Sequence, residues 1–144
     1  MLEPLSREVA RAIVTGDLSG VRAAQGWPHA DTLDGIRLAL DRDAEPGWLV
    51  TRDGLVIGDC GTFGPADDNG EVEIGYGLAA SHRGHGYGKE MVAGLSSWLL
   101  EQPGIRSVRA RTAPDNVASR RVLELAGFEQ VAETAENLTY VRHN

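Results

Sequence analysis

The chain has a single cysteine, Cys60, so no internal disulfide framework holds it together. That fits a reducing, cytoplasmic setting, and a lone cysteine is more often a small buried hydrophobe than a nucleophile. No apolar run approaches the roughly 18 residues that a membrane-spanning helix needs. No N-terminal stretch joins a basic flank to an apolar core, so no signal peptide is expected. The net charge of −7 argues against general nucleic-acid binding. No set of His, Cys, Asp and Glu has metal-ligand spacing, so no metal is expected; His82 and His85 stand three apart in a glycine loop instead. Repeats and low-complexity tracts are absent.

What is present fits one globular domain over residues 1–144. Charge is unevenly spread. Residues 83–121 hold Arg83, Lys89, Arg106, Arg109, Arg111, Arg120 and Arg121 against Glu90, Glu101 and Asp115, and the remainder is strongly acidic. One basic segment in an acidic chain suggests a small anionic ligand there and a cationic partner elsewhere; solvated arginines on helix faces are the plain alternative.

Apolar spacing predicts helices over 5–17, with Ser6 as N-cap, and over 31–42, with Asp31 or Thr32 as cap and Leu33, Ile36 and Leu40 on one side. Residues 48–64 read as two strands joined at Asp53-Gly54, a type I′ hairpin signal. "EVEIGYGL" (71–78) alternates as a strand, with Val72, Ile74, Tyr76 and Leu78 facing one way. A helical stripe of Met91, Val92, Leu95, Trp98 and Leu99 follows, stopped by Pro103-Gly104. Then come a strand over 107–112, a helix within "PDNVASRRVLELAGF" capped by Asp115 or Asn116, and a closing pair of strands. The order α-α-β-β-β-α-β-α-β-β implies a mixed α/β sheet with helices on its faces.

Between strand 71–78 and the next helix lies "HRGHGYGK", with glycine at 84, 86 and 88. A helix N-terminus offers unpaired N–H groups and partial positive charge, and glycines let those amides close on an anion. A tight turn without a ligand is the alternative. The Walker register fails at Arg83 and Glu90. A dinucleotide fingerprint, Gly75-Tyr-Gly77-Leu-Ala-Ala80, lies in and just after the strand rather than at a helix opening, and lacks its acidic partner. Arg83-Gly84-His85-Gly86-Tyr87-Gly88 does satisfy [QR]-x-x-G-x-[GA].

This loop, with "EIGYGL" before it, "PDNVASRRVLELAGF" after the next strand and the closing strand pair, resembles the GNAT superfamily of acyl-CoA-dependent N-acyltransferases. The look is nearest to the branch of ribosomal-protein N-terminal acetyltransferases. The likeness covers residues 48–143; residues 1–47 would form acceptor-side helices, with a first strand short or absent. It implies an α+β fold with a mostly antiparallel mixed sheet, splayed central parallel strands and about four helices. It implies acetyl-CoA as donor, its pyrophosphate on the amides of Gly84, His85, Gly86, Tyr87, Gly88 and Lys89, with Arg83 adding charge. Amides near Gly77 and Leu78 would pair with the pantetheine arm and polarise the thioester carbonyl. Asn116 and Ser119 would touch the cofactor.

An amine attacking the thioester must first lose a proton. Glu73 is the expected acceptor, Glu71 the second choice, and both have a plain reading as solvated strand residues. The tyrosine that protonates the leaving thiolate in many members is Leu123 here, which leaves Ser119 or water. A glutamate found on the fifth strand of other members is Arg111 here. Trp27, Pro28, His29, Phe63 and Tyr140 are expected to wall the acceptor side, for a small amine or a peptide N-terminus. A homodimer is also expected from the resemblance. The competing reading is a non-catalytic acyl-CoA-binding module; a different nucleotide-binding protein is the third.

Overall fold

The computed structural model describes residues 1–42, 46–84 and 86–144. Among them the elements run β1 (Leu2–Pro4), α1 (Arg7–Val14), α2 (Ala30–Asp41), β2 (Trp48–Arg52), β3 (Leu55–Thr62), β4 (Glu71–Leu78), a 3₁₀ turn (Ala80–His82), α3 (Tyr87–Leu100), β5 (Ser107–Thr112), α4 (Val117–Leu125), β6 (Glu129–Glu133) and β7 (Leu138–His143). The seven strands follow the order β1-β2-β3-β4-β5-β7-β6, and β4 pairs in parallel with β5. The expected mixed α/β sheet is therefore present, with a three-residue first strand ahead of the helices.

The chain makes two compact units. The first holds Met1–Gly61 and Tyr76–His85; the second holds Thr62–Gly75 and Gly86–Asn144. In the first, β1 and β3 flank β2 antiparallel, with a register shift between Val50 and Thr51. Asp53 (φ 52°) and Gly54 (φ 78°) turn β2 into β3, the two positive φ values that a type I′ turn requires. Ser6 caps α1 by accepting from the Val9 N–H at 3.2 Å, but α1 stops at Val14, earlier than the apolar spacing suggests. The cap of α2 is His29 rather than Asp31 or Thr32. Ile36 is buried as expected, while Leu33 and Leu40 are half-buried. Leu5, Ala10, Ile13, Trp27, Ile36, Val50, Val56, Ile57 and Cys60 make this unit's core.

In the second unit, Asp67 accepts from the Asn69 and Glu71 N–H groups at 2.9 and 3.0 Å, closing the turn that launches β4. The core gathers Val72, Ile74, Met91, Val92, Leu95, Leu99, Val108, Leu123, Phe128 and Tyr140. Trp98 departs from the predicted stripe and stands 48% exposed, while Met91, Val92, Leu95 and Leu99 are buried. Asn116 accepts from Ser119 N–H at 3.1 Å to start α4, and Gly127 (φ 91°) ends it.

Candidate active site

Pairing between β4 and β5 covers only Glu71–Glu73 against Ser107–Arg109, while β5 runs on beside β7 as far as Thr112. In the second unit β4 therefore leaves β5 after Glu73. The side chains on the face away from the core form a charged network there. Glu73 Oε1 lies 3.1 Å from Arg109 Nη2, and Glu73 Oε2 receives Arg111 Nε at 3.1 Å and Nη2 at 3.0 Å. Glu71 takes Arg109 Nη1 at 3.4 Å and the Ser107 hydroxyl at 3.1 Å. Both Glu73 oxygens thus carry guanidinium donors, which hold Arg109 and Arg111 on this face. Phe63 is 55% exposed and lies on the bare backbone of Gly75, where a Cβ would come within 2.7 Å of its ring.

At the start of α3, Gly86 is the N-cap in a left-handed conformation (φ 81°) and supplies no side-chain bond to the helix. Ser6 and Asn116 cap α1 and α4 with side-chain oxygens, whereas Gly86 offers α3 no side chain. Gly88 is buried, Tyr87 is half-buried and Lys89 is exposed. In the first unit Arg83 and Gly84 are exposed, and Gly84 (φ 82°) has open space where a side chain would stand. Glycine is required at 84 and 86 by positive φ rather than by packing. His85 lies outside the described residues. In the second unit the start of α3 suits an anion: a helix N-terminus, small residues at Gly86 and Gly88, and the exposed Lys89.

The remaining first-unit residues gather on the end of β4. Asp59, on β3, accepts from Trp27 Nε1 at 2.8 Å and from the Thr32 hydroxyl at 2.7 Å. Burial raises the Asp59 carboxyl above its ordinary value, opposed by the Thr32 and Trp27 hydrogen bonds and by the charge of His29. His29 Nε2 sits 2.7 Å from the Leu78 carbonyl oxygen. Gly58 is bare because Gly77 O and Leu78 occupy the place of a Cβ. The adjoining thiol of Cys60 is buried and pushed up to about 12, first by burial and then by Asp59, so it is not poised as a nucleophile.

Two expected wall residues are core residues instead. Trp27 is 4% exposed because its ring fills the first unit and its N–H is spent on Asp59. Tyr140 is 1% exposed, its hydroxyl between Arg120 and Glu124. Leu123 is fully buried, so no acid stands at that helix position. Asp59 was absent from the sequence-based candidates. Its signal was a charged residue inside the otherwise buried strand "LVIGDCGT".

Residues 1–129 match the family model described as an acetyltransferase (GNAT) domain. The Bacillus subtilis (strain 168) protein termed uncharacterized N-acetyltransferase YjdG is 30% identical over 119 residues, 76% of this chain and 71% of the relative. Aminoglycoside acetyltransferase AAC(6')-Ib in complex with coenzyme A superposes with a TM-score of 0.70 at 18% identity, over 99% of this chain and 94% of that one. A spermidine N-acetyltransferase SpeG variant from Vibrio cholerae gives 0.71 at 13%, over 99% and 94%. At those identities the structural likeness is one of fold, and these three do not single out the ribosomal-protein branch. With the family model spanning residues 1–129, the chain belongs to the GNAT acetyltransferase family.

Proposed function

We propose that this enzyme moves the acetyl group of acetyl-CoA onto a primary amine by direct attack within a ternary complex. The observation that carries this reading is the start of α3, where left-handed Gly86 stands as a cap without a side chain. In the proposed complex the amides of Gly84 through Lys89, with Arg83, hold the pyrophosphate, and the Leu78 region of β4 pairs with the pantetheine arm. The Leu78 N–H then polarises the thioester carbonyl. Asn116 and Ser119, at the head of α4, contact the donor, and Ser119 or water protonates the leaving thiolate. Direct attack is favoured over an acyl-enzyme because the single cysteine is buried and its thiol is pushed up to about 12.

Glu73 is assigned a supporting role: it holds Arg109 and Arg111 in place. The acceptor is a cationic amine, such as a polyamine, an aminoglycoside or a peptide N-terminus. The acidity of the chain outside residues 83–121 supports this, as do neighbours whose names specify aminoglycoside and spermidine acetylation. A cytoplasmic setting, with acetyl-CoA at hand, suits the reading.

The test is a panel of those amines with acetyl-CoA, following release of the CoA thiol. Amine-dependent release is expected. Tight CoA binding with no release across the panel would instead select a non-catalytic binding module.

A further inference from the structure

Catalysis by direct attack needs a group that takes a proton from the acceptor ammonium, and the carboxylates of the β4–β5 face are occupied by arginines and Ser107. His29 is placed differently. A carbonyl oxygen only accepts, so the 2.7 Å contact with Leu78 O puts the ring hydrogen on Nε2. In the neutral ring Nδ1 then presents a lone pair. Although His29 is the N-cap of α2, its side chain makes no capping bond, so the helix does not consume that lone pair.

The ring's position follows from one peptide. The Leu78 C=O and the Ala79 N–H share a trans peptide and point in opposite directions. The Ala79 N–H donates to Ile57 O on β3 at 2.6 Å. The Leu78 carbonyl, and with it the His29 ring, therefore lies on the side of β4 turned away from β3. On that side His29 Cδ2 packs over Gly77, 3.8 Å from where a Cβ would stand.

The segments on both sides of His29 are pinned. Trp27, two residues before, and Thr32, three after, both donate to Asp59 Oδ2. Asp59 on β3 thereby fixes the segment that carries the ring, while β4 offers the ring the Leu78 carbonyl.

We propose that His29 is a catalytic residue, taking the acceptor's proton on Nδ1, with Asp59 as its positioning residue. The proposal rests on the acetyltransferase reading above. An ammonium R–NH₃⁺ gives one proton to Nδ1, leaving R–NH₂ and an imidazolium. The amine nitrogen bonds to the thioester carbon, the C–S bond breaks with its electron pair on sulfur, and the second nitrogen proton goes to the thiolate. The imidazolium then returns its proton to water. The products are the acetamide, CoA thiol and one proton.

The experiment measures kcat/KM against pH with the best amine of the panel for wild type, His29→Gln and Asp59→Asn. His29→Gln keeps a donor for Leu78 O. It is expected to lose about 100-fold or more in kcat/KM, to flatten the acidic limb, and to bind acetyl-CoA within about threefold of wild type. Asp59→Asn, which loosens the segment carrying the ring, is expected to lower kcat about tenfold while the KM for acetyl-CoA stays within about threefold of wild type. An acidic limb that persists unchanged in His29→Gln overturns the proposal, whether or not the rate falls. If wild type acetylates no amine, the enzymatic reading fails on its own. Long-range ¹H–¹⁵N NMR of wild type reads the ring without turnover: an Nδ1–H tautomer overturns the proposal even where an amine is acetylated, and an Nε2–H tautomer together with turnover supports it.

Discussion

Two strand carboxylates, Glu73 and Asp59, look alike in the sequence and differ in what surrounds them. Glu73 meets Arg109 and Arg111, and such half-exposed pairs contribute at most about 1 kcal/mol each. Asp59 accepts from two neutral donors, Trp27 and Thr32, in a setting dry enough that burial dominates its titration. The sign of the consequence is fixed. A carboxyl raised above its ordinary value near 3.8 binds its proton more tightly in the folded chain. Its stabilising contribution is fully present below that value and is lost as pH rises through the raised one. The stability of Asp59→Asn relative to wild type is therefore expected to increase from below pH 3.8 toward neutrality, read from urea midpoints across that range. A flat difference would show that Asp59 is not buried as the structure places it. Neither environment was legible in the sequence, because the arginines lie 36 and 38 residues beyond Glu73 and Trp27 lies 32 before Asp59.

The elements were more legible. β4, the hairpin at Asp53-Gly54 and α4 with its asparagine cap all stand where local pattern put them, because each is specified by residues within one turn or one pleat. The ends of α1 and α2 shifted because their boundaries depend on tertiary partners: Thr32 is drawn into α2 by Asp59, leaving His29 as cap. The start of α3 belongs to this scale as well. Gly86→Ala forces a Cβ into a left-handed conformation, at a cost of about 1–2 kcal/mol. The same variant is expected to weaken acetyl-CoA binding, since relief of that strain would turn the first amides of α3 aside. Chemical denaturation and CoA titration, run side by side, check both parts; full affinity in a destabilised variant would separate the cap from the anion site.

For the whole molecule, a ligand that binds only the folded chain adds stability by mass action. Acetyl-CoA at about 100 times its Kd is expected to add about 2.7 kcal/mol, seen as a rise in Tm that ATP and NAD do not reproduce. Equal shifts with all three would argue for generic phosphate binding. By itself, the sequence determined the class of the fold and the family, because strand alternation, helix caps and the glycine loop are local signals that stand in fixed order along the chain. Only the tertiary structure decided which acids and rings are exposed and what they touch. It buried Tyr140 and Trp27, bound Glu73 to two arginines, and set His29 against the Leu78 carbonyl 49 residues away. The physical reason is that a side chain's chemistry depends on its partners and its access to water, and both are set by contacts between segments far apart in the chain.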